Sequence, residues 1–200
     1  MKTRESGMPD EVRWSTFFTP DAVLASLGLS RRCHNAVDFG CGYGTFTIPA
    51  ARIVQGDVYA LDIEPEMVAL TRAKAKAAGL TNVQTIQRDF VAKGTGLPDA
   101  SVEYVMLFNI LHAEEPLTLL REAFRVLSGS GRLGIMHWNY DPATPRGPSM
   151  AIRPRPEQCR TWAEQAGFRL AGPSFIDLPP YHYGMMMTKP PTPALTGCSA

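Results

Sequence analysis

Cysteine is scarce in this 200-residue chain: Cys33, Cys41, Cys159 and Cys198 form no Cys-x-x-Cys pair and no zinc-ligand spacing. That excludes a disulfide-stapled scaffold or a structural zinc site and fits a reducing compartment, so a cytoplasmic location is expected. An excess of one charge is also missing. Twenty Lys and Arg stand against 19 Asp and Glu, a formal net charge of +1, which gives no electrostatic case for a nucleic-acid partner. No run of 18 apolar residues occurs, so neither a membrane span nor a membrane partner is expected. The opening MKTRESGMPDEVRW has no apolar stretch of the kind a signal peptide needs. No internal repeat is visible. What is there, 44% hydrophobic and 20% charged residues, is the composition of an ordinary globular domain with room for one sizeable core.

Strand and helix patterns alternate along the chain. Short apolar runs predict strands at 36–39, 57–63, 82–87, 101–110 and 132–138, with two late strands near 168–178 and 181–188. Between them, helices are predicted over 45–54, from Pro65 to Gly79, from Pro116 to the Gly129/Gly131 pair, and from Pro156 to about 166. Proline in a first helical turn costs little, and glycine just past a helix end stops it. The apolar stripe of the second helix reads as Met67, Leu70, Ala73 and Ala77. Such alternation implies right-handed crossovers and a parallel sheet covered on both faces. Only Pro179 and Pro180 link the last two strands, which leaves no room for a crossover helix and predicts an antiparallel hairpin at the sheet edge. A single domain is expected over 1–188, with a helical lid at about 8–30 and a flexible tail over 189–200.

The chemistry centres on AVDFGCGYGTFTIPAA, residues 36–51. Gly40, Gly42 and Gly44 follow a buried strand and precede a helix, the usual cradle for a ligand in such a sheet. The spacing is GxGxG and not the GxGxxG of dinucleotide sites. Asp38, just before the loop, would repel a pyrophosphate and attract a cationic ligand. S-Adenosylmethionine carries an ammonium and a sulfonium and no phosphate. Asp62 ends the second strand, where an acid accepts hydrogen bonds from ribose hydroxyls. Asp89, in RDF after the third strand, is placed to accept from an adenine amine. Three carboxylates after three successive strands are more specific than any glycine pattern.

DFGCGYG, ALDIEPEM, RDF and LPDASVEYVMLFNILH together resemble the successive motifs of the class I S-adenosylmethionine-dependent methyltransferases, and REAFRVLSGSGRLGIMHW is similar to the helix and fifth strand of that family's small-molecule members. The resemblance spans roughly residues 34–138. It implies a Rossmann-like three-layer α/β/α sandwich with a seven-stranded, mostly parallel sheet in the order 3-2-1-4-5-7-6, strand seven antiparallel. It further implies that Asp38 and the loop Gly40, Cys41, Gly42 and Gly44 hold the methionine end of the cofactor. Asp62 would hold the ribose, with Ile63 against the adenine. Asp89 and Phe90 would read the adenine edge, and Phe108 with Asn109 would lie beside the methyl group.

Candidate catalytic residues are Asn109, His112 and His137, at the ends of strands four and five. Imidazole titrates near working pH and suits proton removal from a nucleophile. Arg146, Arg153, Arg155 and Arg160 offer a clamp for an anionic group on the acceptor. Trp14, Phe17 and Phe18 near the N-terminus, and Tyr181, His182 and Tyr183 in the last hairpin, are placed to line a substrate cavity or a core. Cys41 reads as a small loop filler, and no metal-ligand cluster is seen. FNILH after strand four differs from the Asn/Asp-Pro-Pro-aromatic motif of nucleobase amino-methylating enzymes, so a small-molecule acceptor, with methyl transfer by in-line displacement, is expected. A non-catalytic S-adenosylmethionine-binding regulator, and a nicotinamide-dependent oxidoreductase on a related fold, stay open beside it.

Overall fold

The computed structural model describes residues 10–190. The start of the expected lid, and the expected flexible tail from 191 onward, lie outside the described residues. Two short helices open the described chain, α1 (Glu11–Ser15) and α2 (Pro20–Ser26). The alternating part follows as β1 (Ala36–Phe39), α3 (Thr47–Ile53), β2 (Val58–Asp62), α4 (Pro65–Ala77), β3 (Val83–Gln87), α5 (Phe90–Lys93), β4 (Val102–Phe108), α6 (Pro116–Val126) and β5 (Leu127–Trp138). The chain then runs through a long loop into α7 (Pro156–Gln165), β6 (Arg169–Leu170), β7 (Ile176–Leu178) and β8 (His182–Thr188).

These strands form one sheet in the order β3-β2-β1-β4-β5-β8-β6, with β7 pairing β8 off that path. The pairs from β3 to β5 are parallel, and β8 is antiparallel to β5, β6 and β7. This is the expected order, with β8 in the seventh strand's place and one strand more. The predicted late strand over 168–178 divides in two. Gly172 and Pro173 interrupt it, so β6 pairs with one half of β8 and β7 with the other. The hairpin of β7 and β8 forms as predicted, but β8 lies inside the sheet, between β5 and the two short strands.

Both faces of the sheet are covered. On one face Val105, Leu107, Leu133 and Ile135 pack with Leu119 and Leu120 of α6 and Ala163 of α7. On the other, Tyr104, Met106 and Met136 pack with Leu24 of α2 and Ala50 of α3. Tyr104 is wholly buried and its hydroxyl donates to the carbonyl of Leu27 at 2.9 Å, which ties the end of α2 to mid-sheet. Gly134 makes room for that ring, since a Cβ there would collide with the Tyr104 hydroxyl.

Two local expectations change. The α4 helix buries Val68, Thr71 and Ala75 rather than Ala73 and Ala77. The helix is turned so that the Thr71 hydroxyl donates to the carbonyl of Gly42 at 2.9 Å. Gly129 and Gly131 do not stop α6. That helix passes directly into β5 at Leu127, and the glycines lie in a bulge where the register jumps from Val102↔Leu127 to Tyr104↔Arg132.

Candidate functional site

The carboxyl ends of β1, β2 and β4 meet at the glycine loop. Gly40, Gly42 and Gly44 all have positive φ, at 80°, 50° and 73°, a region that residues with a Cβ avoid. The Gly40 and Cys41 amides donate to the carbonyl of Leu61 at 2.8 and 2.9 Å, so β2 anchors the loop's start. Asp62 holds the middle: its two carboxylate oxygens accept from the Gly42 amide at 2.8 Å and the Glu64 amide at 3.0 Å. Burial raises its pKa, against the lowering effect of those amides.

Asp38 is buried beneath the loop and accepts from the Thr47 hydroxyl of α3 at 2.6 Å. Loss of hydration pushes its pKa up to about 6; the Thr47 bond opposes the shift and the nearby Asp62 adds to it. A buried carboxylate in this state is short of a cation. An ammonium or sulfonium is the ligand chemistry that would supply one, so the residues present fit S-adenosylmethionine. Cys41 is buried too, and burial with the charges of Asp38 and Asp62 pushes its thiol far up, which disfavours the thiolate a nucleophile needs.

Asp89 caps α5, accepting from the Ala92 amide at 3.0 Å. Phe90 next to it is buried with its ring 5.4 Å from that of Phe39. Ile63 is partly exposed at the end of β2. Phe108 is buried at the end of β4, 4.9 Å from the Phe46 ring.

Beyond β4 the chain bends sharply. Asn109 has φ 55° and its amide donates to the carbonyl of Met136 at 2.7 Å. Ile110 then packs against Gly40, where a Cβ would stand 3.2 Å from its Cδ1. Two residues later, His112 lines a cavity of about 690 Å³ bounded also by Glu114, Tyr140, Arg155 and Trp162. The short segment 109–112 therefore links the glycine loop to the cavity.

Two histidines stand behind this segment. Nδ1 of His112 lies 3.3 Å from Nε2 of His137, which is wholly buried. Burial first, then the neighbouring His112 and His182, lowers the pKa of His137 well below the ordinary value, so it is neutral at working pH. On the other face of the sheet the Asn109 side-chain amide lies 3.3 Å from Nε2 of His182. His182 is sandwiched between Phe18 and Trp138, with ring centroids at 4.6 and 4.2 Å, and burial lowers its pKa to about 3. Asn109 Oδ1, His137 Nδ1 and His182 Nδ1 are buried without a hydrogen-bond partner. Native proteins rarely leave buried polar atoms so, and three of them together make this edge of the sheet the candidate site. His182 was placed by sequence among cavity-lining residues but not among the site residues. Its alternation with Tyr181 and Tyr183 gave no hint of the contact with Asn109.

The lid and the arginine segment resolve differently from one another. Trp14 donates from Nε1 to the Thr45 hydroxyl at 3.1 Å, Lys74 pairs with Glu11, and Phe18 packs edge-on to Phe46 at 5.3 Å, so α1 and its loop sit on the glycine loop. Three of the four arginines that sequence offers as a clamp go different ways. Arg160 pairs with Glu164 along α7. Arg153 turns inward and spends its donors on loop carbonyls and the Thr144 hydroxyl. Arg155 stacks on Tyr140. Among the described residues no group of three or more His, Cys, Asp or Glu side chains is arranged to hold a metal, and no helix is long and apolar enough to cross a membrane.

Comparison with known proteins gives a consistent result. Residues 36–131 match a family described as a methyltransferase domain. A demethylmenaquinone methyltransferase of Geobacillus stearothermophilus is 35% identical over 99 residues, which cover 48% of this chain and 42% of that one. An aklanonic acid methyltransferase of Streptomyces sp. is 28% identical over 172 residues, 75% of this chain and 77% of that one. The structure of a SAM-dependent methyltransferase from Aquifex aeolicus superposes with a TM-score of 0.78 at 27% identity, covering 89% of this chain and 93% of that one. The chain spans less than half the length of the demethylmenaquinone methyltransferases it matches.

Proposed function

Residues 36–131 form a class I S-adenosylmethionine-dependent methyltransferase domain, and from that premise we propose that the chain methylates a small organic molecule by in-line displacement. The observation that carries the reading is the junction of the two halves of the site. Ile110 packs on the glycine loop, and His112, two residues on, lines a cavity large enough for a small-molecule acceptor. Demethylmenaquinone and aklanonic acid, the acceptors named for two relatives, are small molecules as well.

When bound, S-adenosylmethionine supplies an activated methyl group on a positively charged sulfur. The chain's own residues do the rest. Asp38 offers the buried negative charge for the cationic end, and Gly40, Cys41, Gly42 and Gly44 let the backbone approach it. Asp62 and Ile63 would hold the ribose and adenine, and Asp89 with Phe90 would border the adenine edge. Phe108 and Asn109, at the end of β4, would border the methyl group, with the backbone turn at Asn109 leading on to His112 and the cavity. His112 would take the proton from the acceptor's nucleophilic atom as that atom receives the methyl group, the methylated acceptor and S-adenosylhomocysteine being the products. His137 is sealed from the cavity and acts through His112, whose ring it orients.

The test is acceptor-dependent release of S-adenosylhomocysteine from purified protein, screened over hydroxylated ring compounds by mass spectrometry. His112→Gln should lower kcat by about 100-fold or more with cofactor affinity unchanged. His137→Gln should shift the pH dependence of kcat rather than abolish turnover. Cofactor binding with no acceptor-dependent release across the screen would favour a non-catalytic S-adenosylmethionine-binding protein instead.

A further inference from the structure

We propose that the cavity takes a planar ring compound bearing an anionic group, laid alongside Tyr140 and held by Arg155, with Arg153 behind it. This deepens the methyltransferase reading and rests on the cavity being the acceptor site.

The charge balance of the wall carries the argument. Arg153, Arg155 and Glu114 all line the cavity. Arg153 is only 7% exposed. Its partners are neutral oxygens, the carbonyls of Asn139, Asp141, Arg146 and Pro148 and the hydroxyl of Thr144, at 2.5 to 3.3 Å. Carbonyls fix the geometry of a guanidinium but do not neutralise it, and a buried charge normally finds an opposite one. Among the described residues no carboxylate lies within ion-pair reach of Arg153 or Arg155. Burial is the main cause of the low pKa of His137 and His182, and the charge of Arg153 adds a smaller push in the same direction. The carboxylate of Asp141 acts on Arg153 from a distance, without an ion pair, while the cavity lining itself carries Arg153 and Arg155 against Glu114.

The shape of the wall specifies the rest. The Arg155 guanidinium carbon stands 3.7 Å from the centre of the Tyr140 ring. Stacking occupies the guanidinium's face and leaves its edge, the fork that matches a carboxylate with two parallel N–H bonds. An aryl carboxylate gripped at that edge lies parallel to Tyr140. The remaining surface, with Leu111, Met150, Ile152 and Trp162, is apolar and suits the ring system. Four arginines in one short segment suggested an anion clamp from sequence; the structure narrows the contact to Arg155, with Arg153 as a fixed background charge.

The test uses protein saturated with S-adenosylhomocysteine and two fluorescent probes, 3-hydroxy-2-naphthoate and its neutral amide, 3-hydroxy-2-naphthamide. Fluorescence titration at low ionic strength should show the carboxylate binding about tenfold more tightly than the amide. Arg155→Gln should erase that difference by weakening the carboxylate alone, and Arg155→Lys, which keeps the charge but not the fork, should restore part of it. Equal affinity for the two probes, selectivity that survives Arg155→Gln, or no binding of either probe would overturn the inference. Ala151→Trp, which fills the cavity from its loop wall, separates this failure from the broader one. Equal affinities that both vanish in Ala151→Trp would refute only the anionic class. Binding that persists in Ala151→Trp would show that the cavity is not where ring compounds bind, and the acceptor-site reading would fall with it. Calorimetric titration of each variant with S-adenosylhomocysteine checks that the fold is intact.

Discussion

Asp38, at the carboxyl edge of the sheet, and Glu122, on α6 toward the opposite edge, are both drawn out of water, yet their proton equilibria move in opposite directions. Glu122 accepts from the Thr95 amide and hydroxyl at 2.6 Å each and pairs with Arg125 at 2.7 Å. Those partners, Arg125 first, lower its pKa to about 2. Asp38 has the Thr47 hydroxyl and a second carboxylate nearby, and burial carries its pKa to about 6. The Glu122 cluster ties the loop before β4 to α6 and is complete within the chain. Asp38 has no cation like Arg125 beside it among the groups that shift its pKa, and on our proposal a bound ligand supplies one. A carboxylate raised by burial at a glycine loop is therefore a better pointer to a ligand than one lowered by its neighbours.

The strongest way to break the comparison is Asp38→Asn. The variant should lose about 100-fold or more in affinity for S-adenosylmethionine, because a buried charge pair goes with it. Its ligand-free form should nevertheless become more stable at pH 8. Asp38 has a raised folded pKa, so its ionised form opposes folding; that cost is full above about pH 6, shrinks as pH falls, and is gone near the unfolded value of 3.8. The interval between 3.8 and about 6 corresponds to about 3 kcal/mol at most. Urea denaturation of both proteins at pH 8 and pH 4 measures it. A variant less stable than the parent at pH 8 would mean that Asp38 is held by its surroundings in the way Glu122 is.

The same carboxylate sharpens the contrast without mutation. Cofactor affinity should be flat above about pH 6 and fall by about tenfold per unit below it, as Asp38 must give up its proton before a cation binds. Calorimetry in buffers of different ionisation enthalpy should detect the released proton near pH 5.5. Affinity constant from pH 8 to pH 5 would take Asp38 out of the charge recognition.

How much of this was visible in the sequence depends on the range of the interaction. Strands β1 to β5 and the helices α3, α4 and α6 announce themselves through local periodicity, whereas the four residues of α5, capped by Asp89, are too short to do so. Asp38, Gly40, Gly42, Gly44 and Asp62 fall within a few residues of strand ends, where the fold dictates their place. The face of α4 was misjudged because Thr71 is buried for its hydroxyl, which holds Gly42, and apolar counting does not see that. Gly129 and Gly131 were assigned to a helix end because glycine has the same signature in a bulge. Asn109 and His182 are 73 residues apart, and His112 and His137 are 25 apart; those pairings exist only once β4, β5 and β8 lie side by side. From sequence Arg153 is indistinguishable from the other three arginines of its segment, because nothing local shows the loop carbonyls converging on it.

The smallest expected effect lies with Glu122. Glu122→Gln keeps an acceptor for the Thr95 amide and hydroxyl but removes the charge that Arg125 faces. Arg125 retains Asp99 at 2.5 Å and the carbonyl of Leu97 at 2.8 Å. The cluster is partly open to solvent, so screening trims its worth, and the loss should be about 1 kcal/mol at pH 7. Its pH dependence runs opposite to that of Asp38→Asn. A lowered pKa stabilises the fold above the unfolded value of 4.5, and the contribution disappears as pH falls toward about 2. Parent and variant should thus converge in acid, with Glu122→Gln the less stable only above that range, and cofactor affinity should not change. If Glu122→Gln instead weakened the cofactor, the two edges of the sheet would be coupled through β4, and the division between a self-sufficient carboxylate and one that waits for its partner would no longer hold.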